Sequence, residues 1–350
     1  MRWGSDWGIT AWFRRRRSSR AAAAAPADPA AERAFRDAHS SQWDAVRLAD
    51  ASARASLRLW NLAFSSHTET VASPSADDLV RDNVVALLQV DTMDPRLFPR
   101  RPALMPQLLQ ALNDPGAAAD KLSRIVAHDP VLTADVLRLA NSRLYRLSPT
   151  PIETIQRAIV VCGADGLRGM LATAMLRPAF RASARNFPRL PRMLWDRTER
   201  AARAAELFAI QAGPQDRFEA QLVVVLSALG PLVVYSAVLD VYSRNPDFQP
   251  NGMLCVELIR QLASGLSLHI ARQWQSSARL LAALDNQPEE LLTAARHAGE
   301  LIGTASFLES QTVIARDERL QILNEGGLPA TFVESLWAGL HGRVEKNLPV

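Results

Sequence analysis

Residues 222–239 read LVVVLSALGPLVVYSAVL, eighteen positions without a charge and apolar on every face of a helix. A helix that is hydrophobic all round must be buried, either at the centre of a large domain or in a bilayer. Its length lies at the lower edge of the roughly 17–25 residues that span a membrane. Glu219, Asp240 and Arg244 flank it closely. Gly230-Pro231 interrupts its middle, where a proline removes one backbone hydrogen bond and kinks the helix. Together these features favour a buried central helix over a membrane span.

A chain of 350 residues with 48% hydrophobic content has enough apolar material for a sizeable core, in one large or two ordinary domains. Cys162 and Cys255 stand far apart among apolar neighbours. They read as small buried hydrophobes of a reducing compartment, with neither a disulfide framework nor zinc spacing. Nothing resembles a cleavable signal peptide, so the cytoplasm is the expected location. The net charge of +4 is unevenly placed, because residues 1–20 hold six arginines against Asp6. The remainder carries 34 basic and 35 acidic residues, a net of −1, and does not look like a nucleic-acid binder.

Toward the N-terminus, Trp3, Trp7, Ile9, Trp12 and Phe13 mix with the run Arg14–Arg17. Aromatics beside arginines suit weak contact of this 1–20 tail with an anionic membrane. They equally suit nucleic-acid phosphates and bases. Ala21 to Ala31, with Pro26 and Pro29, is a linker, so residues 1–31 are expected to form a disordered basic tail. Residues 32–94 form an expected helical extension. Phe35, Trp43, Val46, Leu57, Trp60 and Phe64 share one helical face, with Leu48, Leu59 and Leu62 off it. Ser65 to Asp78 is a break at which Pro74 prevents continuation.

From Leu97 the helical signals become dense. Met105–Leu112 and Lys121–Ala127 read as helices. Asp129-Pro130 starts a third, with Asp as N-cap and Pro at the first helical position. Leu132, Val136, Leu137 and Ala140 form its inner stripe, and Asn141-Ser142 closes it. Thr150-Pro151-Ile152-Glu153 is a capping box that launches a helix from Ile152 to Val161, stopped at Gly163. Downstream, apolar stripes predict helices over Leu254–Trp274, Ala278–Leu284, Glu289–Leu308 and Ala330–Leu340, with a turn at Asn324–Pro329.

The run from Ser123 to Leu171, SRIVAHDPVLTADVLRLANSRLYRLSPTPIETIQRAIVVCGADGLRGML, resembles the first half of the HD-related output domain, HDOD. Asp129-Pro130, Leu132-Thr133, Leu137 to Ser142, Tyr145, Pro151-Ile152, Thr154-Ile155, Ala158-Ile159 and Gly163 carry the likeness. It implies an all-α, HD-like helical bundle found in bacterial signalling proteins. The expected division is residues 95–300 for this domain, with 301–350 as closing helices on the same body. In metal-binding HD domains a His-Asp doublet in a segment like LLHDIG binds metal together with an earlier histidine. The corresponding stretch here is Val225-Leu226-Ser227-Ala228-Leu229-Gly230, and Arg197 stands at the earlier histidine. Ser227, Ala228 and Arg197 are therefore degenerate metal positions, and a permanent cation at Arg197 opposes a metal ion.

No pair among His39, His67, His128, His269, His297 and His341 has the i,i+3 or i,i+4 spacing that puts two imidazoles on one helical face. No cofactor is expected. Ser227 has no histidine or carboxylate beside it in sequence, which speaks against a nucleophile. Asp129, Asn141, Ser142 and Tyr145 are polar positions that either tie the loop to the helix end or face a partner. Between Arg177 and Arg203 lie eight arginines; Arg177, Arg181, Arg185, Arg189 and Arg192 form a candidate anion or partner patch, or a solvated connector. The function expected is a non-catalytic signalling or scaffold module that binds another protein. Its rivals are a sensor of a nucleotide or other small anion, and a phosphohydrolase with an unrecognised metal site.

Overall fold

A computed structural model describes residues 44–65, 74–89, 97, 126, 130–142, 144–145, 150–176, 187–212, 217–287 and 291–341. Among these the chain is helical, without a strand. The first helices are α1 (Ala45–Phe64), α2 (Pro74–Leu87), α3 (Pro130–Ala140) and α4 (Ile155–Leu176). The middle of the domain holds α5 (Leu190–Ala212), α6 (Arg217–Ser227), α7 (Leu229–Arg244) and α8 (Gly252–Gln273). It closes with α9 (Ala278–Leu284), α10 (Leu291–Ser310), α11 (Arg316–Glu325) and α12 (Ala330–His341). Residues of all twelve contribute to one apolar cluster.

The apolar stretch of residues 222–239 lies inside that core, but as two helices. The break falls at Ala228, three residues before Pro231, and not at the Gly230-Pro231 pair. Proline lacks an N–H, and the first turn of a helix is where an N–H has no intrahelical partner. Restarting at Leu229 puts Pro231 in that turn. By length and composition Arg217–Arg244 and Gly252–Gln273 could each cross a bilayer, but 83% of the most apolar window of the first is covered by protein.

α5 and α10 form the centre. Ala201, Ala202, Ala204, Ala205 and Ala209 line α5. Gly299 and Gly303 on α10 sit directly against them, so that a Cβ at Gly303 would stand 2.4 Å from the Ala201 Cα. Small residues on both sides let the two backbones approach closely, which brings the side chains flanking this seam together. α1 lies across α10, burying Leu48, Ala51, Ser52, Ala55, Leu59, Trp60, Ala63 and Phe64. Of the expected stripe, Trp60 and Phe64 are buried, but Val46 is 68% exposed, and Leu48 and Leu59, placed off it, are in the core. The true face is half alanine and serine, which a reading of large apolar residues overlooks. Phe35 and Trp43 lie outside the described residues.

Other boundaries also move. Pro74 begins α2, where its missing N–H costs nothing, so it starts a helix as well as ending a break. α5 begins at Leu190 with Pro191 in its first turn. The helix expected from Ile152 starts at Ile155. Thr154 takes the capping role, its Oγ1 accepting from the Arg157 N–H at 3.2 Å. Ile152 is not free to be helical: Asn141 Oδ1 accepts its N–H at 2.8 Å and Asn141 Nδ2 donates to its carbonyl at 2.7 Å. Gly163 ends the first segment of α4 as expected, with φ of 78°, and a second segment resumes at once behind the kink.

Candidate functional site

The seam between α5 and α10 carries a cluster of charged and hydroxyl side chains in an otherwise apolar interior. α10 contributes Arg296, His297 and Glu300, in the midst of buried Leu292, Ala295, Ala298, Leu301, Ile302 and Ala305. α5 contributes Arg197, the end of α6 contributes Ser227, and α1 contributes Ser52 and Ser56.

Glu300 is the hub. Its side chain is 12% exposed. The Ser227 hydroxyl lies 2.7 Å from Oε1, and the Ser52 hydroxyl lies 3.2 Å from Oε2. Burial alone would raise the carboxyl pKa, but the Arg296 and Arg197 guanidiniums outweigh it and pull the group down to about 2. Glu300 is therefore a fixed anion, not a proton acceptor. Arg197 is buried; its Nε–H donates to Thr304 Oγ1 at 2.9 Å, and its Nη2 lies 3.5 Å from Ser56 Oγ.

His297 stays neutral, because burial and then the charge of Arg296 push it down to about 4. Its Nε2 lies 3.0 Å from Asn286 Oδ1, which also accepts from Arg296. Arg296 Nη2 lies 3.1 Å from the same ring nitrogen. Nδ1 faces Glu300 Oε2 at 3.9 Å and has no hydrogen-bond partner among the described residues.

Of Arg197, Ser227 and Ala228, the positions that the family resemblance sets against HD metal ligands, two meet here. Arg197 and Ser227 both enter the cluster, and Ala228 is buried between α6 and α7. A divalent ion does not fit this set of residues. The set holds a guanidinium, a hydroxyl and a methyl, and the one carboxylate present is held by two hydroxyls and two cations. No group of three or more His, Cys, Asp or Glu suited to a metal occurs among the described residues. Ser227 does have a carboxylate neighbour, 73 residues later in the chain, contrary to what its sequence surroundings suggest. With a pKa near 2 that carboxylate is a poor base for activating a hydroxyl.

The other expected positions lie elsewhere. Asn141 clamps the end of α3 to Ile152, and its Nδ2 also reaches the Leu137 carbonyl at 2.9 Å. Tyr145 is buried with the Arg203 guanidinium 5.3 Å from its ring centroid, and burial raises its pKa. The Ser142 hydroxyl has no hydrogen-bond partner among the described residues. Asp129, Arg177, Arg181 and Arg185 lie outside the described residues, as does the 1–31 tail. Arg189 and Arg192 are exposed, with Arg192 3.8 Å from Asp196. Farther along the same arginine-rich stretch, Arg203 pairs with Glu206 and Arg200 donates to Ser306 Oγ at 2.9 Å. With Arg197, these two depart from a merely solvated connector.

A family model described as the HDOD domain matches residues 98–289, more than half of the chain. The chain belongs to the HDOD family. Solved structures are similar to it, three of them as follows. One, from Shewanella amazonensis SB2B, is described provisionally as a metal-dependent phosphohydrolase. It is 15% identical, with a TM-score of 0.52, over 76% of this chain and 99% of that one. Another from the same organism, described provisionally as a phosphohydrolase, is 22% identical with a TM-score of 0.51, over 74% and 94%. An HDOD domain protein of unknown function from Geobacter sulfurreducens is 18% identical with a TM-score of 0.49, over 76% and 97%. At these identities the likeness concerns the fold alone. No curated protein matches the chain. Membership in the family fits a role in signalling. Arg296, His297 and Glu300 all follow the matched span, and Ser52 and Ser56 precede it, so this HDOD protein builds its central cluster partly from segments outside the family domain.

Proposed function

We propose that this HDOD protein is a cytoplasmic, non-catalytic signalling module that acts by binding another protein. One observation supports the reading above others: at the positions where an HD enzyme has its ligands, Arg197 and Ser227 are bonded into an internal network around Glu300. A cation is built into the protein there, and the hydroxyl is committed to a carboxylate too acidic to take its proton. The exposed Arg189 and Arg192, at the start of α5, offer the guanidinium groups with which an acidic partner surface would pair.

The test uses the full chain purified without chelators. Its content of iron, manganese, nickel and zinc is measured together with hydrolysis of nucleotides and cyclic dinucleotides. Well under one equivalent of metal and no turnover are expected. Stoichiometric metal with turnover that His297→Gln abolishes would overturn the reading. Chemical cross-linking in cells, with Arg192→Glu as comparison, locates the partner surface; capture unchanged in that variant removes α5 from the interface.

A further inference from the structure

Among the described helices only α2 exposes two large apolar side chains, Leu79 at 52% and Val85 at 39%. The helix is two-sided. Val80 and Val84 are buried, with Leu88 just beyond its end. On the same side Arg81 donates to both oxygens of Glu257 on α8, at 2.7 and 3.0 Å, and Asp77 accepts from Asn251 Nδ2 at 2.8 Å. Those contacts take up the inner face. At about 100° per residue, Asp78 and Asp82 run down the middle of the outer face, with Val85 on one flank and Leu79 and Ala86 on the other. Asp78, Asp82 and Ala86 are all exposed. Three acidic residues against Arg81 give the helix a net charge of −2. Its one cation is committed to Glu257, and neither Asp78 nor Asp82 stands in an ion pair among the described residues.

A face with carboxylates at its centre and apolar flanks suits a ligand of opposite charge that brings apolar rings of its own. The chain itself carries one. Residues 1–20, which lie outside the described residues, hold six arginines against Asp6, together with Trp3, Trp7, Trp12 and Phe13. Guanidiniums pair with carboxylates as bidentate forks, and indole rings cover aliphatic side chains while keeping a polar edge in water. Reach is no obstacle. The 27 residues between Arg17 and Ala45 span up to about 90 Å when extended, against a diameter of about 50 Å for a compact body of this length. Belonging to one chain also raises the effective concentration of the segment above that of a free partner, so contacts that are weak one by one suffice. Both halves of the contact precede the HDOD span, which begins at residue 98.

We propose that the outer face of α2 is a docking surface for residues 1–20 of the same chain, with arginines on Asp78 and Asp82 and aromatic rings on Leu79 and Val85. The contact is separate from the partner-binding reading above, which places the partner on α5.

The experiment places the photo-cross-linker p-benzoylphenylalanine at Ala86 of the full chain and, in a second preparation, at Asn83, both exposed positions. Irradiation should join the probe to a peptide from residues 1–20 of the same chain, and high salt should lower the yield. Asp78→Arg with Asp82→Arg should lower it about fivefold. Arg15→Glu with Arg16→Glu should do the same while leaving α2 untouched, so the test holds even if α2 does not tolerate its own reversals. All four changes together should restore the link. The absence of a link to residues 1–20 from both probe positions overturns the proposal. So does a link that joins two copies or reaches only another segment, and so does a yield that either pair of reversals leaves unchanged.

Discussion

Glu300→Gln keeps the shape of the hub and removes its charge, leaving Arg197 and Arg296 buried without the carboxylate that both of them face. Its cost follows from the structure. A carboxyl drawn from 4.5 down to about 2 prefers its ionised form in the folded chain by about 3 kcal/mol. Breaking a buried charge network from one side costs about 3–5 kcal/mol, so two independent routes agree. Urea unfolding at pH 7 should therefore show a drop of about 3 kcal/mol with an unchanged slope. The sign with pH is also set. A depressed carboxyl stabilises the fold fully above the unfolded value of 4.5 and loses that contribution as pH falls through about 2. The gap between wild type and Glu300→Gln should thus narrow to about 1.5 kcal/mol by pH 3 and close below pH 2. A loss under about 1 kcal/mol at pH 7, or a gap that stays constant down to pH 3, would refute the picture of Glu300 as the anion of a buried network.

His297 works in a neighbouring window. Its ring is held down at about 4 against 6.5, so the wild-type chain should lose about 3 kcal/mol as pH falls from 6.5 through 4, and His297→Gln should lack that slope in the same titration. Asn141→Ala strands the N–H and carbonyl of Ile152, and should cost about 1–3 kcal/mol while speeding amide exchange at Ile152; unchanged exchange would count against the clamp. Gly230→Ala would set a Cβ 1.9 Å from the Ala263 carbonyl oxygen and should destabilise by at least about 2 kcal/mol, read as a lowered thermal midpoint; a neutral result would show that α7 and α8 move apart easily.

What the chain reveals before folding depends on how far apart the interacting residues are. The burial of residues 222–239 and the helix Ala278–Leu284 are local patterns, and both stand as expected. α11 went unforeseen because its sequence, RDERLQILNE, buries only Ile322 and Leu323 and is half charged. Its neighbours hold it: Arg54 and Arg58 on α1 pair with Glu325 and Glu318, and Arg47 donates to the Asn324 and Glu325 carbonyls. The HDOD likeness singled out Arg197 and Ser227, but their partner was not legible, since nothing local ties Ser227 to Glu300. A signal did exist. Arg296, His297 and Glu300 interrupt an apolar helix at i, i+1 and i+4, and charges on the inner face of a core helix need partners. His297 read by itself gave only a local hydrogen bond.

The seating of α1 across α10 also has a consequence for synthesis. Ser52 and Glu300 touch although 248 residues separate them. A ribosome covers that distance in roughly 10–50 seconds. During that interval Leu48, Leu59, Trp60 and Phe64 have been made, and the α10 part of the surface that will cover them has not. A nascent chain of this protein therefore carries a partly uncovered apolar helix for most of its translation, which makes it a client for chaperones that hold growing chains and prone to early aggregation when they are scarce.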